Sequence, residues 1–277
     1  MSPHEAIARL REVAAKATPR PPTIPILGCG MAGLLDLPAG CAKLVLSDLP
    51  SGETQAPFDV APDLTTLWRA TWHALSRDGI AVFMASSLRF AASLISSGAA
   101  EFRYDLIWSK SAATGFLNAK RRPLRAHEFI LMFSRSGSAT YNPQMVTGAS
   151  PIHAARRTIG TVNYGAQNPG TLARAGATDR YPTSVLEFAT VGTSSRDRVH
   201  PQQKPVPLLR WIIRTFTNEG DLVLDPFAGS GSTGVAAEQE RREFVGWDTS
   251  PDFAEREQQP GLRAILDRLA AAVKETQ

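Results

Sequence analysis

Apolar residues along this chain come in short unbroken runs that stop at an acid. "AKLVLSD" (Ala42 to Asp48) and "GDLVLDPF" (Gly220 to Phe227) share that form, each with a proline within two residues of the acid. Such runs suit strands buried on both faces, as in a parallel sheet covered by helices. The stretch from about Ala61 to Ser76 sets Leu64, Leu67, Trp68, Thr71 and Leu75 on one side of a helix, and "GIAVFMAS" (Gly79 to Ser86) reads as the next strand. "VPLLRWIIRTFTNEG" has helical spacing and stops at Asn218 to Gly220; "STGVAAEQERR" predicts a further helix and "EFVGWD" a further strand. Alternation of this kind predicts an α/β fold with crossover helices.

The pattern breaks at both ends of this core. Residues 1–25 read as an amphipathic helix and a Pro-rich tether, without the apolar segment of a secretory signal. From Ser134 to Arg198 the chain is rich in Gly, Ser, Thr, Asn and Pro, which predicts a binding insertion whose Arg156, Arg157, Arg174, Tyr164 and Tyr181 meet a partner. The expected layout is therefore 26–133 as one half of the main domain, 134–198 as the insertion and 199–277 as the other half.

Charge sharpens the picture. Between Glu101 and Arg214 stand sixteen Lys and Arg against six Asp and Glu, although the whole chain carries only +4. A central segment so skewed points to a polyanion, most simply nucleic acid. Apolar content of 43% and charged content of 20% exclude wholesale disorder. No apolar run approaches the roughly 20 residues needed to cross a bilayer. Two cysteines, Cys29 and Cys41, lack ligand spacing, so no zinc site or disulfide framework is expected and a reduced, cytoplasmic setting is the default.

The candidate chemistry lies at the ends of the two apolar runs. "DPFAGSGSTG" holds glycines at Gly229, Gly231 and Gly234 after a strand and at the opening of a helix, with Asp248 ending the following strand. That context suits a nucleotide-type cofactor whose ribose meets the acid. A NAD-linked oxidoreductase is the first competitor. Asp225, however, would repel a pyrophosphate, whereas S-adenosylmethionine has no phosphate and offers a cationic ammonium and sulfonium. In an open α/β sheet ligands sit beyond the carboxyl ends of the strands, so Asp48 and Asp225 are expected along one edge. An exocyclic amine on a base is a poor nucleophile because its lone pair is delocalised. Acceptors for both amino hydrogens localise that pair for attack on a sulfonium methyl. Asp48 would supply one acceptor and the Leu49 carbonyl the other, with Pro50 holding Leu49 extended.

On these residues the chain resembles the beta class of DNA amino-methyltransferases, and within it the phage-type adenine-N6 and cytosine-N4 methylases. "SDLPSG" is similar to their D-P-P-Y motif, and "DPFAGSGSTG" to their cofactor motif, in the permuted order of that class. "HPQQKP" (His200 to Pro205) resembles their H-P-x-Q-K-P element; "IWSK", "GFLNAKRRPLRAHE" and "YNPQM" resemble phage-type members. The resemblance implies a circularly permuted, Rossmann-like AdoMet-dependent fold with an inserted target-recognition region, acting on double-stranded DNA as a homodimer. It implies catalysis at Asp48, Leu49, Pro50 and Ser51. It implies cofactor contacts at Gly28, Cys29, His200, Lys204, Asp225, Pro226, Phe227, Gly229, Ser230, Gly231, Thr233 and Asp248. Lys110 and the basic run Lys120, Arg121, Arg122 and Arg125 are expected on phosphates, and Asn118, Arg156 and Arg157 at base edges.

The chain departs from the family pattern in three places. Leu49 replaces the first proline, Cys29 stands where an acid is usual, and Ser51 replaces the aromatic ring that would stack on an extruded base. Phe58, Phe116 or Tyr164 is the expected substitute ring. An acid opening the catalytic motif is commoner among adenine enzymes and a serine among cytosine enzymes, so Asp48 implies adenine N6 ahead of cytosine N4, with Ser47 beside it. An oxidoreductase, a DNA-binding homologue without transfer activity and an RNA methyltransferase remain the competing classes.

Overall fold

Side chains along the central strands alternate between two separate apolar layers, which explains the unbroken apolar runs. The computed structural model describes residues 26–148, 150, 176–192 and 202–249. The expected amino-terminal helix and tether, and about half of the insertion, lie outside these residues.

Elements follow in the order β1 (Ile26–Leu27), α1 (Gly30–Asp36), β2 (Ala42–Asp48), α2 (Leu64–Ala74), β3 (Leu75–Ala85), α3 (Leu88–Ser97), β4 (Phe102–Thr114), β5 (Arg125–Phe133), β6 (Val185–Phe188), α4 (Val206–Phe216), β7 (Leu222–Asp225), α5 (Ser232–Gln239) and β8 (Glu243–Asp248). A single turn of 3₁₀ helix, Phe116–Asn118, joins β4 to β5. Among the described residues the strands form one eight-stranded sheet in the order β1-β8-β7-β2-β3-β5-β4-β6. The first five run parallel, β3–β5 and β5–β4 are antiparallel, and β6 is parallel to β4.

Val45, Phe83, Leu131, Leu224 and Trp247 pack with α1, α2 and α3 on one face. Leu46, Val82, Met132, Val223 and Phe244 pack with α4 and α5 on the other. Both faces being dry, neither can tolerate a polar alternation. Helix starts follow the sequence signals: Asp63 accepts from Thr66 N at 2.8 Å and Ser87 from Phe90 N at 3.1 Å, each satisfying a donor that the first turn leaves over.

The chain direction reverses its spread at β2 and β7, which lie side by side. From β2 it proceeds to β3 on one flank, and from β7 to β8 on the other. Such a switch point leaves a crevice beyond the strand ends, because the connections leave it in opposite directions. Asp48, Asp225 and Asp248 all terminate strands at that edge. This is the doubly wound, permuted arrangement that the motif order predicts.

Of the described residues, those up to Asn142 and from Ser184 onward form one compact unit, and those from Pro143 to Thr183 a second. Just past β5, Ser134 and Arg135 are tied back to β3: Ser134 Oγ donates to Gly79 O at 3.0 Å and Arg135 Nη2 to Leu75 O at 2.7 Å. Strand β6 returns as an edge, with Trp108 Nε1 donating to Phe188 O at 2.9 Å. Its one buried hydrophobic residue, Leu186, is too little for a sequence pattern to register.

Helix α1 packs against the cofactor-motif strand end so closely that a Cβ on Gly30 would lie 2.0 Å from the Pro226 carbonyl oxygen, a backbone atom with no side chain to swing aside. Gly30→Ala should therefore lower stability by about 1–3 kcal/mol, the usual cost of overpacking. Gly137→Ala, where a Cβ meets nothing within 4 Å, should stay within about 0.5 kcal/mol of the parent. Chemical denaturation of the two variants checks both.

Candidate active site

Asp225 ends β7 wholly inside the protein, 2% exposed. Ser47 Oγ donates to its Oδ1 and Thr233 Oγ1 to its Oδ2, both at 2.6 Å, and Phe227 N adds a third bond at 3.1 Å. One carboxylate thus ties β2, the glycine turn and the start of α5 together. Burial pushes its pKa from 3.8 up to about 6, against the pull of the two hydroxyls. The turn itself requires left-handed backbone at Gly229 (φ 49°) and Gly231 (φ 77°). Asp248 Oδ2 accepts from Gly229 N at 2.9 Å, and Asp248 O from Gly28 N at 2.9 Å, so the last strand fixes both glycine segments.

Strand alternation turns Asp48 away from this cluster. With Ser47 committed to Asp225, the Asp48 side chain reaches the crevice, 27% exposed. There Lys204 Nζ donates to its Oδ2 at 2.5 Å. The same ammonium lies 3.3 Å from Glu128 Oε2, and Lys110 Nζ lies 3.2 Å from Glu128 Oε1. Desolvation raises the Asp48 pKa, with Glu128 adding to it and Lys204 opposing. Burial alone would lower the Lys204 pKa, but the Asp48 and Glu128 charges outweigh it and hold the pKa above the ordinary lysine value.

Past the catalytic motif, Asp59 folds the loop back. Its Oδ1 accepts from Ser51 N at 2.7 Å and Gly52 N at 2.9 Å, and its Oδ2 from Thr54 N at 2.8 Å. These bonds hold the Asp59 pKa below the usual carboxylate value even though burial works the other way. The clamp brings Phe58, 46% exposed, to the same crevice as Asp48 and Pro50.

The crevice opens to solvent and holds about 980 Å³ of space when its mouth is counted. Of the expected catalytic residues, Asp48 and Pro50 line it; Leu49 is buried in the apolar layer beside α1, and Ser51 lies in the clamped turn. Of the expected cofactor residues, Cys29, Lys204, Asp225, Pro226, Phe227, Gly229, Ser230, Thr233 and Asp248 line it. Gly28 and Gly231 shape the turns behind, and His200 lies outside the described residues. Lys204, while lining the crevice, also bridges Asp48 and Glu128. Lys110, expected on phosphate, instead points inward to Glu128 with its side chain 4% exposed. Lys120, Arg121 and Arg122 are exposed at the β4–β5 tip, while Asn118 and Arg125 are half-buried there. Arg156 and Arg157 lie outside the described residues. Asp59 and Glu128 had no role assigned from the sequence, since the partners of each are set by the fold.

The sequence pattern of the family described as DNA methylase, of the N6 and N4 type, matches residues 63–259, well over half of the chain. The chain belongs to that family. Its similarity to curated methylases is regional. It is 34% identical over 155 residues to the type II methyltransferase M.Cfr9I of Citrobacter freundii, covering 55% of this chain and 42% of that protein. It is 32% identical over 178 residues to M.XycI of Xanthomonas campestris pv. cyanopsidis, covering 61% and 48%. The chain thus spans about half the length of these curated relatives. Among solved structures, the cytosine-N4-specific PvuII DNA methyltransferase superposes with a TM-score of 0.60 at 15% identity, covering 91% of this chain and 96% of that one. M1.HpyAVI, solved as its SAM complex, gives 0.55 at 19% identity, with 83% and 94% covered. These likenesses establish the methyltransferase fold for this methylase.

Because the folded-state pKa of Asp225 is raised, its contribution to stability is complete below 3.8 and is lost as pH rises through about 6. The shift corresponds to at most about 3 kcal/mol. Asp225→Asn, which mimics the neutral acid, should flatten the dependence of stability on pH across that window. Thermal melts of both proteins at a series of pH values measure the difference.

Proposed function

We propose that this methylase transfers the methyl group of S-adenosylmethionine to adenine N6 in a specific sequence of double-stranded DNA, acting on a base turned out of the helix. The observation that carries the reading is the shared crevice: Asp48 and the Gly229–Ser230 turn border one space. Its charged lining residues are Asp48, Asp59, Asp225 and Asp248 against Lys204, which is itself paired. Such a wall suits a cationic sulfonium and ammonium and opposes a pyrophosphate. That favours AdoMet over a nicotinamide cofactor, as do the AdoMet complexes of similarly folded proteins, M1.HpyAVI and TTHA0409 of Thermus thermophilus.

AdoMet supplies a methyl carbon on a positively charged sulfur. Gly229 and Ser230 give it a close backbone wall, Phe227 an apolar surface, and Asp248 an acceptor near its ribose. Asp48 Oδ1 and the Leu49 carbonyl accept the two amino hydrogens of the base, localising the nitrogen lone pair. The nitrogen bonds to the methyl carbon as the sulfur–carbon bond breaks, and the proton it sheds passes to Asp48. Ser47 is committed to Asp225, so an acid and not a serine faces the base. That supports adenine over cytosine. Exposed Lys120, Arg121 and Arg122 lie on the outer tip of the β4–β5 hairpin, where they suit phosphate contacts. The family likeness supports a homodimer and an intracellular, restriction-type or phage-borne role.

Expression in a host free of DNA methylation, followed by nucleoside analysis and modification-aware sequencing, should show N6-methyladenine at one sequence. N4-methylcytosine there would overturn the choice of base, and no modified base would overturn the reading of activity. Asp48→Ala should abolish transfer while AdoMet affinity by calorimetry is unchanged. Phe58 takes the stacking place left by Ser51, so Phe58→Ala should weaken binding to a duplex with a mismatched target base. The expected loss is about 5- to 150-fold, the range of one base–aromatic stack. Ser51→Tyr in that variant should restore it.

A further inference from the structure

Four side chains of alternating charge run inward from the crevice: Asp48, Lys204, Glu128 and Lys110. Their separations are 2.5, 3.3 and 3.2 Å. Asp48 at the crevice end is 27% exposed, Lys204 and Glu128 in the middle are 10 and 11%, and Lys110 at the inner end is 4%. They come from four places in the chain: the end of β2, the approach to α4, the start of β5 and the middle of β4. Glu128 reaches Lys204 because β3 stops at Ala85, which pairs with Phe129, so Glu128 lies one residue beyond the last β3–β5 pair while still paired with Trp108 of β4. Buried charges are costly unless each meets an opposite one, and here the row sums to zero.

We propose that Glu128 and Lys110 act on the reaction through Lys204, as positioning residues that hold the ammonium on one oxygen of Asp48 and keep the other for the substrate amine. The proposal rests on the methyltransferase reading above. An ammonium with three donors and a single acid beside it would settle across both carboxylate oxygens. Glu128 prevents this by drawing Lys204 from the far side; its Oε2 is ion-paired to Lys204 at 3.3 Å without hydrogen-bond alignment, so the pull is Coulombic. Lys110 tempers that pull by holding Oε1. A balanced row also avoids a net positive charge beside a nitrogen that becomes cationic as it is methylated. The groups that act on Asp48 are Lys204, Glu128 and Asp59, and the buried Asp225 senses its charge in turn.

Two substitutions change the row in opposite senses. Glu128→Gln removes a negative charge near Asp48 and releases Lys204 onto it, so the Asp48 pKa should fall. Lys110→Met leaves Glu128 less neutralised, so the Asp48 pKa should rise. Carbon-13 NMR of the Asp48 carboxyl across a pH series reads both without any turnover. In parallel, kcat for Glu128→Gln should drop about tenfold or more, as for a lost transition-state arrangement, with AdoMet affinity unchanged. Glu128→Asp should recover part of the rate. Opposite displacements of the Asp48 titration establish the coupling. Titrations that coincide with the parent in both variants, or kcat unaltered in a folded Glu128→Gln protein, overturn it. Should Glu128→Gln fail to fold, the Lys110→Met and Glu128→Asp measurements decide on the same terms. If the parent transfers no methyl group yet the titrations move as stated, the functional reading fails and the coupling stands.

Discussion

The Asp225 carboxylate is the contact on which the rest of this architecture depends. It ends one buried strand, accepts a hydroxyl from the neighbouring strand and another from the helix beyond the glycine turn, and has no water to fall back on. An acceptor in that position must be satisfied from within the protein, since a buried polar group without partners costs more than its hydrogen bonds return. Ser47 and Thr233 meet that demand. In doing so they set the register of β2 against β7 and the entry of the chain into α5. Because successive side chains on a strand point opposite ways, committing Ser47 inward commits Asp48 to the crevice.

Charge is sorted by depth. The crevice wall is acidic, and the lysine within it is neutralised by two carboxylates. Lys120, Arg121 and Arg122 are exposed on the outer hairpin. A polyanion meeting such a surface is attracted at the rim and repelled at the floor. A cationic small molecule experiences the reverse.

Loop order near the crevice also comes from carboxylates. Asp59 gathers three backbone amides of the segment after Pro50, and Asp248 gathers one from the glycine turn. Each replaces a hydrogen-bonding partner that a short irregular segment cannot find in a helix or strand. The family's aromatic residue after the catalytic proline is absent here. The Asp59 clamp sets the next ring in the chain, Phe58, at the crevice.

Much of this was legible in the residues. Runs such as "AKLVLSD" and "EFVGWD" became strands at the predicted positions, because apolar continuity is the direct signature of burial on both faces. The glycine turn and the acids at strand ends were legible too, since both are local: the turn needs positive φ, and an acid after an apolar run must lie at an edge. The short edge strand β6 was not, because one buried leucine leaves no pattern. Nor were the places of Lys110 and Lys204. As isolated letters they are surface cations suited to phosphate or carboxylate ligands, and nothing within several residues of either marks a partner. Sequence alone determined which segments are strands, where the glycine turn falls and which acids could stand at its edge. Tertiary structure alone decided which charges meet, because Asp48, Glu128, Lys110 and Lys204 are separated by up to 156 positions and become neighbours only when the sheet is assembled.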